Sequence, residues 1–343
     1  MGAEPSRTSA DTASAGSRLV DSEKSLLLSI RDLRLEFHKD GQVLPAVEGV
    51  SLEVAAGETL CLVGESGCGK SVTALSIARL VPTPPAHYAG GEIFLLGRDV
   101  LRMTPAELRQ LRGGVVSYVF QEPSASLNPV FRVGLQIKES LKLHRRDAAT
   151  DEEVIRLLKL VGIPAPESRR KDYPHQMSGG MQQRIMIAMA LASQPRLLVA
   201  DEPTTALDVT IQAQIIELLR ELKERLGMAI LLITHNLGIV GDIADRVAVM
   251  YAGQVVEQAP ARELLSRPLH PYTRALMNSV PRLGGSADRL SAIGGNVPQL
   301  GAFPNGCRFH PRCPKAQPEC SAKSPELVEV EMGRWVRCPY WEK

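Results

Sequence analysis

The sequence predicts an α/β protein layered on a mainly parallel β-sheet. Strand-like runs alternate with stretches of helical spacing between residues 26 and 258, the rhythm of strand–helix–strand units. Two runs, Arg196–Ala200 and Ala229–Thr234, are almost continuously apolar, as strands covered on both faces are. Three runs also stop abruptly on residues of a different kind: Val63 on Gly64, Ala200 on Asp201 and Thr234 on His235.

Leu26–Phe37 alternates Leu and Ile with polar residues and reads as an exposed strand, closed by a turn at His38–Gly41. Val50–Val54 and Thr59–Val63 are further strands, the second running into a glycine-rich loop. Ser71–Leu80 reads as a helix, stopped by Val81-Pro82-Thr83-Pro84-Pro85 because proline cannot continue one. Gly91–Leu96 and Val115–Phe120 return to strand character. Pro129 to about Tyr173 is charged, helically spaced and free of strand runs, which predicts a helical subdomain over about 129–182. Ser178-Gly179-Gly180 opens a helix through Ala192, and Ile211–Leu226 is an amphipathic helix ended by Gly227. Val247–Tyr251 and Gln254–Gln258 read as a final antiparallel pair. The pattern fails from about Pro260, and residues 284–343, rich in Gly, Pro and Cys, read as an appended module. The expected organisation is a tail over 1–25, a main domain over 26–258 and an extension over 259–343.

Composition bounds the function. The 343 residues suit about two domains, and 44% hydrophobic residues suffice for a core. Aromatics are only 4%, so Leu, Val, Ile and Ala must fill it. A net charge of +2 gives no basis for a nucleic-acid role driven by a basic face. No apolar run approaches the roughly 18–20 residues that span a bilayer. Residues 1–25 lack the continuous apolar stretch of a secretory leader and read as a disordered tail. The expectation is a cytosolic chain that meets a membrane only through partner proteins.

Residues 64–71, Gly-Glu-Ser-Gly-Cys-Gly-Lys-Ser, form a complete phosphate-binding loop between a strand and a helix. Gly64, Gly67 and Gly69 let successive backbone N–H groups turn inward on phosphates. Lys70 reaches the β- and γ-phosphates, and the Ser71 hydroxyl can ligand Mg²⁺. The helix start adds its positive end. Asp201 closes a buried strand, where an acid is costly unless a cation or hydrogen bonds satisfy it, so it reads as the Mg²⁺-holding acid. Glu202 points the other way along the chain and can face an attacking water. Ser178-Gly179-Gly180 at a helix start makes a second anion site. The loop already covers one side of a γ-phosphate, so this second site must serve another nucleotide, which suggests a dimer sharing ATP between chains. His235, at a strand end beside that of Asp201, reads as functional. Cys61 reads as a small core residue, and Cys68, inside the loop, as a thiol open to alkylation without nucleotide.

Together these motifs resemble the ATP-binding subunit of ABC transporters over about residues 26–343. The resemblance implies a P-loop ABC ATPase core with an antiparallel β subdomain, a helical subdomain and a Cys-rich C-terminal extension. Gly64–Ser71, Ser66 included, matches Walker A. Gln121 in Phe120-Gln121-Glu122-Pro123 matches the glutamine loop, which contacts Mg²⁺ and the membrane partner. Ser178–Met181 matches the signature motif, with Met181 in place of the commoner Gln. Asp201 matches the Walker B aspartate, Glu202 the catalytic glutamate, Ala206-Leu207-Asp208 the D-loop and His235 the switch histidine. The aromatic residue that stacks on adenine would be Phe37. Met177–Arg184, Asp208–Ala213, His270–Leu276 and Gly306–Pro314 look like segments of dipeptide/oligopeptide importers, in the D-type ATPase subunit. That resemblance implies ATP and Mg²⁺ as cofactors and a peripheral place on the cytoplasmic face of the membrane. The implied partners are a second, non-identical ATPase that completes a heterodimer, two permeases and an external binding protein. Nickel and glutathione importers share the pattern. The rival is a permease-free ATPase of the same class. DNA-maintenance members carry a long coiled coil and translation members carry two cassettes, and this chain has neither.

Cys307, Cys313, Cys320 and Cys338 are spaced C-x5-C-x6-C-x17-C. Cytosolic location disfavours disulfides. Zinc usually recruits closer pairs, four thiolates can hold an iron–sulfur cluster, and spacing alone leaves zinc and cluster level. The family resemblance implies a [4Fe–4S] cluster of structural role.

Overall fold

The computed structural model describes residues 25–205, 207–279 and 293–342. The expected tail, apart from Ser25, and Ala206 of the D-loop lie outside the described residues. Among the described residues the strands form two sheets. In chain order they are β1 Leu26–Lys39, β2 Gln42–Ala55, β3 Thr59–Val63, β4 Ala86–Leu95, β5 Arg98–Asp99, β6 Val116–Val119, β7 Leu197–Asp201, β8 Ala229–Thr234, β9 Arg246–Tyr251, β10 Gln254–Pro260, β11 Val328–Glu331 and β12 Arg334–Val336.

The larger sheet runs β11-β12-β10-β9-β3-β8-β7-β6, and its five strands β9, β3, β8, β7 and β6 are mutually parallel. These strands are covered on both faces. On β3, Leu60 and Leu62 join the core shared with the antiparallel sheet, while Cys61 and Val63 join the core on the helical side. Their near-continuous apolar sequence follows from that double burial.

The smaller sheet, β2-β1-β4-β5, is antiparallel and packs on one face of the larger. It corrects the reading of Leu26–Phe37 as an exposed strand. β1 lies between β2 and β4, and its polar residues other than the buried Ser29 sit on the outer face or at a register shift between Ile30 and Leu33. β4 begins five residues before the expected Gly91. Gly91 sits at φ 89°, and a Cβ there would lie 2.5 Å from the Asp32 carbonyl oxygen, so two irregularities meet and obscure the alternation in sequence.

The helix after the glycine-rich loop spans Lys70–Ser76, shorter than expected, because Arg79 takes a left-handed φ of 49°. The charged insert folds as helices Val133–His144, Asp151–Leu160 and Pro166–Arg169. It packs on the long helix Gly179–Leu191 in the core of the helical side. The helix Pro105–Leu111 adds to the expected elements, with Thr104 and Glu107 forming a reciprocal capping box at its start. The extension does not stand apart. β12 pairs with β10 through Glu257–Val336 and Gln258–Trp335, so the C-terminal hairpin continues the main sheet. No described helix is long and apolar enough to cross a membrane.

Candidate functional site

Sheet register builds the site. Val63 pairs with Thr234, Ile233 with Asp201, and Ala200 with Val119. The carboxyl ends of β3, β8, β7 and β6 therefore line up, and the residues just beyond them meet along one edge. That edge is where ligands bind in open parallel sheets. It holds a cleft of about 870 Å³ lined by Ser66, Gly67, Gly69, Lys70, Ser71, Gln121, Glu202 and His235 of the sequence reading. Ala46, Glu65, Val72, Thr205, Asn296, Val297 and Leu300 also line it.

The loop needs glycine at its ends for different reasons. A Cβ on Gly64 would lie 2.3 Å from the Met250 carbonyl oxygen, so the strand behind leaves no room. Gly69, the residue before the helix, sits at φ 100° with the Ala46 carbonyl oxygen 3.0 Å from where a Cβ would be. Lys70 is 4% exposed, and its Nζ donates to the carbonyls of Gly64 at 2.8 Å and Glu65 at 3.0 Å. Cys68 is corrected: it is 1% exposed, and burial pushes its thiol pKa up, so it is a packing residue and not a reactive thiolate.

Asp201 carries the signature of a cation site. Burial raises its pKa, against the pull of a hydrogen bond from Ser71 and the charge of Lys70. Its Oδ1 is buried without a hydrogen-bond partner among the described residues. A hard divalent cation takes oxygen ligands of this kind, and the Ser71 hydroxyl stands beside it. The donor set fits Mg²⁺.

Glu202 is the point of convergence. Its Oε2 accepts from Thr205 Oγ1 at 2.9 Å and Gln121 Nε2 at 3.3 Å, and lies 3.1 Å from His235 Nδ1. Its backbone holds a left-handed φ of 47°, fixed by an N–H···O bond of 2.9 Å to Ile233. Residues in such sparsely populated conformations cluster at functional sites. Thr205 was missed, yet a hydroxyl three residues past Glu202, across Pro203, is the kind of signal a turn offers.

Other residues of the reading lie away from this cleft. Ser178 caps the helix Gly179–Leu191 by accepting from the Met181 N–H at 3.3 Å. Asp208 caps the helix Val209–Leu226 by accepting from the Ile211 N–H at 2.9 Å. Ser178, Gly179, Gly180 and Asp208 are not in the lining of the cleft within one chain. Phe37 is not there either. It is half-buried against the core between the sheets, opposite Leu44 on β2, and Ala46 is the residue of β2 that reaches the cleft.

Cys307, Cys313, Cys320 and Cys338 line a single cavity of about 370 Å³, distant in sequence but close in space. Burial raises the thiol pKa of Cys307, Cys313 and Cys338, that of Cys338 to about 11, and the neighbouring thiols add to the shift. No three of these sulfurs lie within 4.8 Å of one another, a condition that among the described residues only Glu36, His38 and His87 meet.

Comparison with known proteins gives a consistent picture. The ABC transporter family model matches residues 47–205, and that of the oligopeptide/dipeptide transporter C-terminal region matches residues 256–320. The chain is 51% identical to the probable peptide ABC transporter ATP-binding protein y4tR of Sinorhizobium fredii, over 91% of this chain and 94% of the relative. It is 48% identical to the oligopeptide transport ATP-binding protein AppD of Bacillus subtilis, over 93% of this chain and 98% of the relative. The dipeptide transport ATP-binding protein DppD of Bacillus subtilis is 47% identical, over 91% and 94%. Among solved structures, the ATP-binding cassette MJ0796 in a dimeric post-hydrolysis state with ADP and Pi has a TM-score of 0.61 at 25% identity. That match covers 69% of this chain and 99% of MJ0796. The cbiO1 protein of Clostridium perfringens has a TM-score of 0.62 at 25% identity, over 71% of this chain and 91% of cbiO1.

Proposed function

This chain belongs to the ABC transporter family, in the branch that carries the oligopeptide/dipeptide C-terminal region, and from that membership we propose its work in detail. It is the ATP-hydrolysing subunit of an importer that takes up dipeptides or oligopeptides across the cytoplasmic membrane. It acts peripherally at the cytoplasmic face, with permease subunits and an external binding protein as partners.

The observation that carries the catalytic reading is the convergence of Gln121, Thr205 and His235 on one oxygen of Glu202, in the same cleft as Lys70 and Ser71. The loop N–H groups and Lys70 hold the phosphates of ATP. Ser71, Asp201 and Gln121 would hold Mg²⁺, which supplies charge neutralisation on the β- and γ-phosphates. Glu202 orients the attacking water and draws on its proton. His235, in contact with Glu202, reports on the γ-phosphate. Catalysis of this kind is positioning and electrostatics.

Ser178, Gly179, Gly180 and Asp208 complete a second chain's site, so that two ATPase subunits close on two ATP molecules. Their position off the cleft of their own chain supports this reading, as does the dimeric state in which MJ0796 was solved with ADP and Pi. The second subunit is a non-identical ATPase. The thiols of Cys307, Cys313, Cys320 and Cys338 hold a [4Fe–4S] cluster of structural role. The meeting of the four thiols around one cavity, from positions far apart in sequence, supports this reading.

The test is Glu202→Gln in the assembled transporter. ATP binding is expected to persist while turnover falls about 10²-fold or more, and nucleotide-bound ATPase dimers, with the partner ATPase added, are expected to accumulate on size-exclusion chromatography. Undiminished turnover would remove Glu202 from its role, and dimers of this chain alone would remove the non-identical partner.

A further inference from the structure

The phosphate loop is held from outside by the C-terminal extension. Glu65, second residue of the loop, accepts a two-pronged ion pair from Arg312, with Nη1–Oε2 at 2.8 Å and Nη2–Oε1 at 3.0 Å. The Arg312 side chain is only 5% exposed. Its Nε donates to the Gly294 carbonyl at 2.8 Å, at the base of the segment whose Asn296, Val297 and Leu300 line the nucleotide cleft. The Glu65 backbone N–H donates to Tyr272 Oη at 2.9 Å, so it is turned to the extension and away from the cradle. Tyr272 packs at 4.7 Å on Tyr251 and at 5.3 Å on Phe309, which is three residues before Arg312. One guanidinium thus joins the loop, the segment at residues 294–300 and an aromatic post.

We infer that Arg312 is a positioning residue for nucleotide binding: it locks Glu65 to set the resting shape of the phosphate loop and anchors residues 296–300 against the cleft. The inference rests on the reading of that cleft as the ATP site. A loop with glycines at positive φ at Gly67 and Gly69 has many alternatives in reach. Ordering it during folding removes that cost from the binding step. A fork-shaped guanidinium is the side chain that fixes a carboxylate in direction as well as distance. Removing either partner leaves the other charge unpaired in a mostly dry site, which the loop relieves by moving.

The experiment measures binding of a fluorescent ATP analogue to the full chain, where hydrolysis plays no part. Arg312→Gln and Glu65→Gln are each expected to weaken binding by about tenfold or more. The double variant is expected to lose no more than the weaker-binding single, because both act through one contact. Arg312→Lys, which keeps the charge but not the fork, is expected to fall between Arg312→Gln and the unaltered chain. The inference fails if both singles bind within about twofold of the unaltered chain, or if their losses multiply in the double variant. If circular dichroism shows Arg312→Gln unfolded, Glu65→Gln, whose side chain is partly exposed, decides by the same threshold. Lys70→Ala separates the two levels. Its normal binding would sink the ATP-site reading, whereas its loss beside inert Arg312 variants would sink the inference alone.

Discussion

At Glu202 a single residue combines backbone strain with a carboxylate oxygen that three side chains meet. An L-residue at φ 47° is disfavoured, and it persists here because its N–H and its carboxylate are both tied down. Its place at the site was legible, because an acid after a buried strand needs a partner. The convergence of Thr205, Gln121 and His235 was not, because three separate strands set it. Cys68 shows the opposite error: a loop position suggested exposure, and packing against the sheet denied it. His270 yields a prediction at this scale. It is buried, and burial first and the charge of Arg337 next push its pKa down to about 3. In the unfolded chain it takes a proton near pH 6.5. The unfolded state therefore binds more protons between these values, so stability is complete above about pH 6.5 and falls by about 1.4 kcal/mol per unit as pH drops toward 3. Denaturant midpoints between pH 7.5 and 5 are expected to fall more steeply in the unaltered chain than in His270→Asn. Equal slopes would remove His270 from the account.

At the scale of elements, strands with doubled burial announce themselves. Ala229–Thr234 was read to the residue, because six residues covered on both faces have few alternatives. β4 and the helix Pro105–Leu111 were harder. One is broken by a Gly91 that answers a bulge in β1, and the other is short, with a capping box as its main signal. The extension from Pro260 onward looked irregular because its strands are three and four residues long, pair with each other, and join the sheet only where β12 meets β10. Its cysteines give this scale its prediction. The chain purified without oxygen is expected to contain iron and acid-labile sulfide in equal amounts and no stoichiometric zinc, with loss of both on Cys313→Ser. Zinc in place of iron would overturn the cluster.

At the scale of the whole molecule, one face carries large apolar side chains in the open. Phe120, Val130, Phe131 and Leu135 are exposed apolar side chains beside Gln121 in sequence and up to the first turn of the helix Val133–His144. Beside them lies a groove of about 280 Å³ lined by Phe120, Leu127, His144, Met186 and Met189. Exposed apolar surface of this kind marks an interaction site, and here it adjoins Gln121, which touches Glu202. A permease segment seated in the groove would reach the Glu202 carboxylate through one side chain, Gln121. Phe131→Asp is expected to reduce co-purification with the permeases by about tenfold or more, with ATP binding by the isolated chain intact. Unchanged co-purification would place the contact elsewhere.

The sequence by itself marked the residues proposed to handle phosphate, because a cradle of backbone N–H groups, a lysine and a strand-end acid require fixed residue types at fixed short spacing. It also determined the parallel core, because double burial writes itself as an unbroken apolar run. Tertiary structure alone decided that Arg312 would grip Glu65, that residues 296–300 would border the cleft and that Phe37 would not. Those contacts join segments more than 200 residues apart, or depend on the register of an antiparallel sheet. No local propensity records either, because the free energy that selects them comes from packing.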